Sequence, residues 1–199
     1  MATTFFLVRH ATHGLIERVL MGRTDESILT GEGRAQADRL GRFFAGRQVE
    51  EVQSSPRSRA RDTAAPIATH LGRPIVIEPA LNELDYGEWS GRSFESLCDD
   101  PHWHSWNRAR GSTRVPGGET MAELQARTMA HLRHLHRQDS RGAFVLVSHA
   151  EVIRAALLHA LGWPLDDFAK LDLAPASVST VRAEDGRFAV AAINEQATA

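Results

Sequence analysis

The sequence predicts an α/β domain, a three-layer sandwich with a mostly parallel central sheet and helices on both faces. Three observations carry this prediction. Short apolar runs of strand length alternate with longer helical patterns from end to end, the order that βαβ units produce. The 199 residues suit one hydrophobic core, within the usual size of a single domain. No internal repeat, low-complexity stretch or linker divides them, so residues 1–199 read as one domain.

The elements follow in order. Residues 4–9 (TFFLVR) are a short apolar run bounded by polar residues and read as a buried strand. Residues 31–46 carry Ala35, Leu40, Phe43 and Phe44 at helical spacing, with Gly46 as a stop. Val49–Gln53 is a second strand. Ser54 or Ser55 is placed to cap the next helix, with Pro56 in its first turn. Ile75–Ile77 is a third strand. Residues 79–118 look irregular, with Trp89, Trp103, Trp106, Pro101 and Pro116, and are expected to form a lid or side wall. Residues 118–138 form a helix whose apolar side is Met121, Leu124, Met129, Leu132 and Leu135. Ala143–Val147 is a strand and Glu151–Leu161 a helix, ended by Gly162 and Pro164. Residues 177–193 read as two strands around Asp185-Gly186, a hairpin signal.

Composition excludes several classes. Hydrophobic residues make up 42% and charged residues 24%, ordinary globular values. The net charge is −2, so no global basic field recruits nucleic acid or an anionic membrane. Cys98 stands alone, which rules out an intramolecular disulfide and a cysteine zinc site. A cytoplasmic location is expected. MATTFFLVRH lacks the basic region of a signal peptide, and no apolar run has the length to span a membrane. Only Lys170 is a lysine; the other cations are arginines, whose planar forks suit phosphate and carboxylate.

In such sheets, ligands bind beyond the carboxyl ends of the strands. Arg9-His10 follows the first strand, the Ser54–Arg61 turn the second, and Ser148-His149 the strand at 143–147. If those strands are neighbours, two histidines and several arginines converge on one edge. Phosphoryl transfer uses such a set. Arginines neutralise the phosphate. A neutral imidazole attacks phosphorus and forms a phosphohistidine. A carboxylic acid protonates the leaving oxygen and then activates water.

The motifs also resemble a known family. FFLVRHATH, SSPRSRARDTA, LNELDYGEWSG, PGGET and VLVSHAEVIRA stand in the order of the five motifs of the histidine phosphatase superfamily, which includes the phosphoglycerate mutases. The resemblance implies His10 as nucleophile and Arg9 and Arg59 as phosphate-binding arginines. It implies His149 as the second histidine at the phosphoryl group and Glu83 as proton donor, in the branch that uses glutamate. It implies no metal or organic cofactor, a small phosphorylated substrate, and a homodimer as one assembly. Ala11 and Ala150 stand where the family has glycine, beside the phosphate site. Ile16 stands where the family has a pocket asparagine, and His13 or Arg23 is the candidate substitute donor. Arg57 either lines the substrate mouth or is solvated. Glu119 either caps a helix or orients water. His102 and His104 belong either to packing or to a substrate wall. His131, His134 and His136 invite a metal reading, but no carboxylate pattern completes a site.

The leading expectation is therefore a phosphomonoesterase acting on a small metabolite through a phosphohistidine. The alternative is a cofactor-dependent phosphoglycerate mutase. The short spacing from Glu83 to Glu119, and a chain that ends soon after the last motif, favour the phosphatase. A non-catalytic phosphate-ester binding module is the third reading, disfavoured because no catalytic group is missing.

Overall fold

The computed structural model describes residues 2–25 and 27–197. The elements run β1 (Thr3–Arg9), α1 (Gly31–Phe44), β2 (Glu51–Ser54), α2 (Ser58–Leu71), β3 (Ile75–Ile77), α3 (Phe94–Leu97), α4 (Pro101–Arg108), α5 (Met121–Gln138), β4 (Ala143–Ser148), α6 (Ala150–Leu161), β5 (Ser177–Glu184) and β6 (Arg187–Gln196). The strands form one sheet in the order β3-β2-β4-β1-β5-β6. The first four are mutually parallel, and β5 runs against both β1 and β6. The closing hairpin turns on Asp185 and Gly186, both left-handed, with φ of 49° and 74°. Two such residues match the twist of a tight hairpin.

Period-two alternation sorts the strand side chains between two apolar layers. Val8, Val52, Val145 and Val147 face α1 and α2 and meet Leu40, Phe44 and Ile67. Phe5, Leu7, Phe144 and Leu146 face α5 and α6 and meet Met129, Leu132, Leu135 and Leu157. The expected three layers are present, with the sheet between two pairs of helices.

Two expectations need correction. Ser54 and Ser55 do not cap α2. Ser54 stays in the ladder opposite Ile77 and Val147, so the helix starts later, at Ser58. Its cap comes from elsewhere: Asp25 Oδ1 accepts from Ser58 N at 2.8 Å. Residues 79–118 are also more regular than expected. They hold α3, α4 and two single 3-10 turns. Asp100 caps α4 by accepting from the His102 and Trp103 amides, with Pro101 in the first turn. This segment contributes Leu84, Tyr86, Trp89, Leu97, Trp106 and Val115 to a third apolar cluster, completed by Leu20, by Met121 and Leu124 of α5 and by Val152 and Ala155 of α6.

Candidate active site

Strand order brings the predicted residues together. β4 lies between β1 and β2. Arg9 is opposite Ser148, and Ser54 is opposite Val147. Arg9-His10, Ser55 to Arg59, and His149 therefore meet at one sheet edge. The His10 ring centroid lies 5.3 Å from His149 and 5.2 Å from His13.

Hydrogen bonding fixes the tautomers. His10 Nδ1 lies 2.9 Å from the carbonyl oxygen of Ala11. A carbonyl only accepts, so Nδ1 carries the proton and Nε2 keeps its lone pair. Burial, then the charges of Arg59 and Arg9, hold the His10 imidazolium pKa well below 6.5. The ring is thus neutral near pH 7. The same causes lower His13 to about 4. Arg59 Nη2 donates to Gly22 O at 2.7 Å and reaches His149 Nδ1 at 3.2 Å. Arginine has no acceptor, so His149 Nδ1 accepts and its Nε2–H donates to Ser55 Oγ at 2.8 Å. The Ser55 hydroxyl thus accepts chiefly from His149, and its other contact, with Arg57 N, is long at 3.4 Å and precedes the helix. His149 is neutral too: burial first, then Arg59, holds its pKa well below 6.5.

Two guanidiniums supply the positive charge. Arg59 Nη1 donates to Thr24 O at 3.0 Å, and Arg9 Nη1 donates to Leu173 O. The Nε of each is buried without a partner among the described residues. Glu83 completes the group. It is buried, its Oε1 accepts from Leu84 N at 2.8 Å, and its Oε2 lies 3.9 Å from His149 Nδ1. With His149 neutral, that approach is no ion pair. Burial, then the charge of Glu151, raises the Glu83 carboxyl to about 7, against the opposing pull of the Leu84 amide, Arg59 and Arg127. Glu83 therefore holds a proton over part of the neutral range, as a donor to a leaving oxygen requires.

The chain around Glu83 is clamped. Arg127 donates to the carbonyls of Ala80 and Asn82 at 2.7 Å each and of Glu83 at 3.1 Å. It also binds Glu119 Oε1 at 2.8 Å. Arg23 donates from Nε to Glu83 O at 3.0 Å and pairs with Asp85 and Glu119 at 3.1 Å each. Glycine is required where this segment crosses the next loop. A Cβ on Gly118 would run into the Asp85 carbonyl, and one on Gly87 into that of Pro116.

The arrangement encloses a cavity of about 500 Å³, within the range of small-molecule sites. Arg9, His10, His13, Arg59, Glu83 and Ala150 line it, as does Ile16. His149 is fully buried beside His10. Ala11 and Ala150 replace glycines without strain, since neither has positive φ. Three candidates fall elsewhere. Arg23 and Glu119 belong to the clamp outside the cavity wall. Glu119 is not a helix cap, because Thr120 and Glu123 form the capping box of α5. Arg57 pairs with Asp25 at 3.1 Å and also donates to Arg23 O, which turns it away from the mouth. His102 and His104 are exposed, while Trp103 and Trp106 between them line the cavity. His131 is drawn inward, its Nε2 2.6 Å from Gln53 Oε1, and His136 bonds Thr3 instead. Sequence reasoning missed Arg110, Glu151 and Arg154 in the cavity wall. Glu151 and Arg154 sit inside VLVSHAEVIRA, three residues apart on one helix face, a spacing that could have flagged them. Arg110 carries no local signal.

The fold and this set of side chains suit a phosphoryl-handling α/β protein, the class to which comparison with known proteins also points. Residues 5–196 match the family model of the histidine phosphatase superfamily (branch 1). The chain belongs to that superfamily. It is similar to a protein of Hydrogenobacter thermophilus named "Putative phosphoserine phosphatase 2", at 27% identity over 96% of this chain and 94% of the other. It is also similar to the "Probable phosphoglycerate mutase GpmB" of Enterobacter sp. (strain 638), at 32% identity over 88% and 83%. Among solved structures, the mycobacterial glucosyl-3-phosphoglycerate phosphatase superposes with a TM-score of 0.88 over 98% of this chain and all of the other. At 23% identity, that likeness concerns the fold.

Proposed function

We propose that this protein hydrolyses the phosphomonoester of a small metabolite through a phosphohistidine on His10. The observation that carries the reading is the His10 tautomer: Nδ1–H is tied to the Ala11 carbonyl, so the free lone pair is on Nε2 of a ring lining the cavity. The phosphate rests against Arg9 and Arg59, with neutral His149 behind. His10 Nε2 attacks phosphorus, and the bond from phosphorus to the leaving oxygen breaks. Glu83 gives its proton to that oxygen. The resulting carboxylate takes a proton from water, whose oxygen attacks phosphorus as the P–N bond breaks. Phosphate leaves and His10 is regenerated. Membership of the superfamily and the relative named for phosphoserine phosphatase support the reading.

Residues 79–118 act as a fixed side wall in this reading, since their apolar cluster anchors them against α5 and α6. The domain works as a single unit, in the cytoplasm, with the homodimer a matter for light scattering. No helix among the described residues is long and apolar enough to cross a membrane. The enterobacterial relative's name favours a mutase instead, which would return the phosphoryl group to a phosphoglycerate rather than to water. The test is release of phosphate from p-nitrophenyl phosphate by purified protein, without added metal. His10→Ala is expected to abolish release, and an active His10→Ala protein refutes the mechanism. Interconversion of phosphoglycerates without net phosphate release favours the mutase.

A further inference from the structure

The cavity is far larger than a phosphate needs, and its far end has its own chemistry. Arg110 and Arg154 are both tied to one carboxylate oxygen. Arg110 Nη1 and Arg154 Nη1 each donate to Glu151 Oε1 at 2.9 Å. Each guanidinium makes one further hydrogen bond to the protein. Arg110 Nη2 binds Asn107 Oδ1, and Arg154 Nε binds Leu171 O, each at 2.9 Å. The Arg110 guanidinium is fixed between rings, 3.8 Å from the Trp106 centroid and 3.5 Å from that of Phe168. Burial opposes ionisation of Glu151, but the two arginines outweigh it and hold the carboxyl below the ordinary value. Glu17 and Asp172, both exposed, add two further carboxylates to the lining.

The two ends of the cavity thus differ in charge. At the phosphate end, Arg9 and Arg59 stand beside neutral histidines, enough to balance a dianion. At the far end, three carboxylates face two guanidiniums already bound to one of them. An anionic leaving group would meet a surplus of like charge there. A hydroxyl group fits better. Glu151 Oε2 and Arg110 Nε are buried and have no partner among the described residues, and separate hydroxyl groups can donate to the first and accept from the second. Trp103 and Trp106 add flat apolar surface to the wall. On this basis, and resting on the phosphatase reading above, we infer that the far end is a leaving-group subsite for an uncharged, polyhydroxylated alcohol. The preferred substrates are sugar or polyol monophosphates that carry no second anionic group.

A matched pair tests this. Glycerol 3-phosphate and 3-phosphoglycerate share a skeleton and differ only in a hydroxymethyl group against a carboxylate. kcat/KM is expected to be at least about tenfold higher for glycerol 3-phosphate, the size of one misplaced like charge. Glu17→Gln and Asp172→Asn, both at exposed positions, are expected to narrow that ratio by raising the value for 3-phosphoglycerate. Equal or better turnover of 3-phosphoglycerate overturns the inference, as does preference for phosphoethanolamine over glycerol 3-phosphate. p-Nitrophenyl phosphate reports separately on the phosphatase reading. If it is not hydrolysed, that reading fails. Calorimetric titration of both three-carbon esters into His10→Ala protein still reads the subsite, where tighter glycerol 3-phosphate binding supports it and tighter 3-phosphoglycerate binding overturns it.

Discussion

Glu83→Gln is expected to remove activity while stabilising the protein at alkaline pH. The folded carboxyl titrates at about 7, above the ordinary 4.5. Such a group contributes stability that is complete below pH 4.5 and lost as the pH rises through about 7. With each pH unit between the two values worth about 1.4 kcal/mol, ionised buried Glu83 costs on the order of 3 kcal/mol. Glutamine has the same shape, its amide oxygen can accept from the Leu84 amide, and it never ionises. The difference in unfolding free energy between variant and wild type should be small at pH 5 and grow to on the order of 3 kcal/mol by pH 8.5. In a chain of this size that is roughly 6 to 12 °C in Tm. Urea denaturation across the pH range measures it, with phosphate release followed in parallel. Wild-type kcat should fall as the pH rises through about 7, because the leaving oxygen then lacks its proton. A stability difference that stays flat from pH 5 to 8.5 refutes the argument that burial raises this carboxyl.

Two further substitutions probe the frame. Arg127→Met removes the hydrogen bonds to three carbonyls around Glu83 and one of the charges that lower its pKa. The alkaline limb of the pH profile should therefore move upward, and kcat should fall by up to about a hundredfold through misplacement of the acid; an unmoved limb contradicts the clamp. Asp25→Ala removes the cap of α2, and unfolding in urea should show a loss of about 1 kcal/mol. Its ion pair with Arg57 is half exposed and adds little, so Asp25→Asn, which keeps an acceptor, should recover most of the loss.

Legibility of the site followed sequence distance. His10 and His149 sit directly after apolar runs, so the rule that ligands bind at strand ends placed them on one edge from local pattern alone. Strand order, with β4 between β1 and β2, then joined them as expected. The helix start at Ser58 was misplaced because its cap is 33 residues away, and no local pattern encodes such a partner. The places of Glu119 and Arg23 escape a local reading for the same reason. Their partners Arg127, Asp85 and the Glu83 carbonyl lie across the fold, and a long charged side chain can point several ways from a given backbone position. Arg110 lay in a stretch read as irregular, and only the fold brings it to Glu151 and Phe168.

The apolar cluster under residues 84–124 contains no strand residue. It meets the rest of the molecule through α5, α6 and Leu20, while His10 and His149 stand at the sheet edge. Mutational drift in this cluster can thus reshape the alcohol that is admitted while His10 and His149 keep their places. Recombining segment 84–118 between relatives should move substrate preference with it and leave the histidine pair in place, which makes this wall a natural unit for directed evolution.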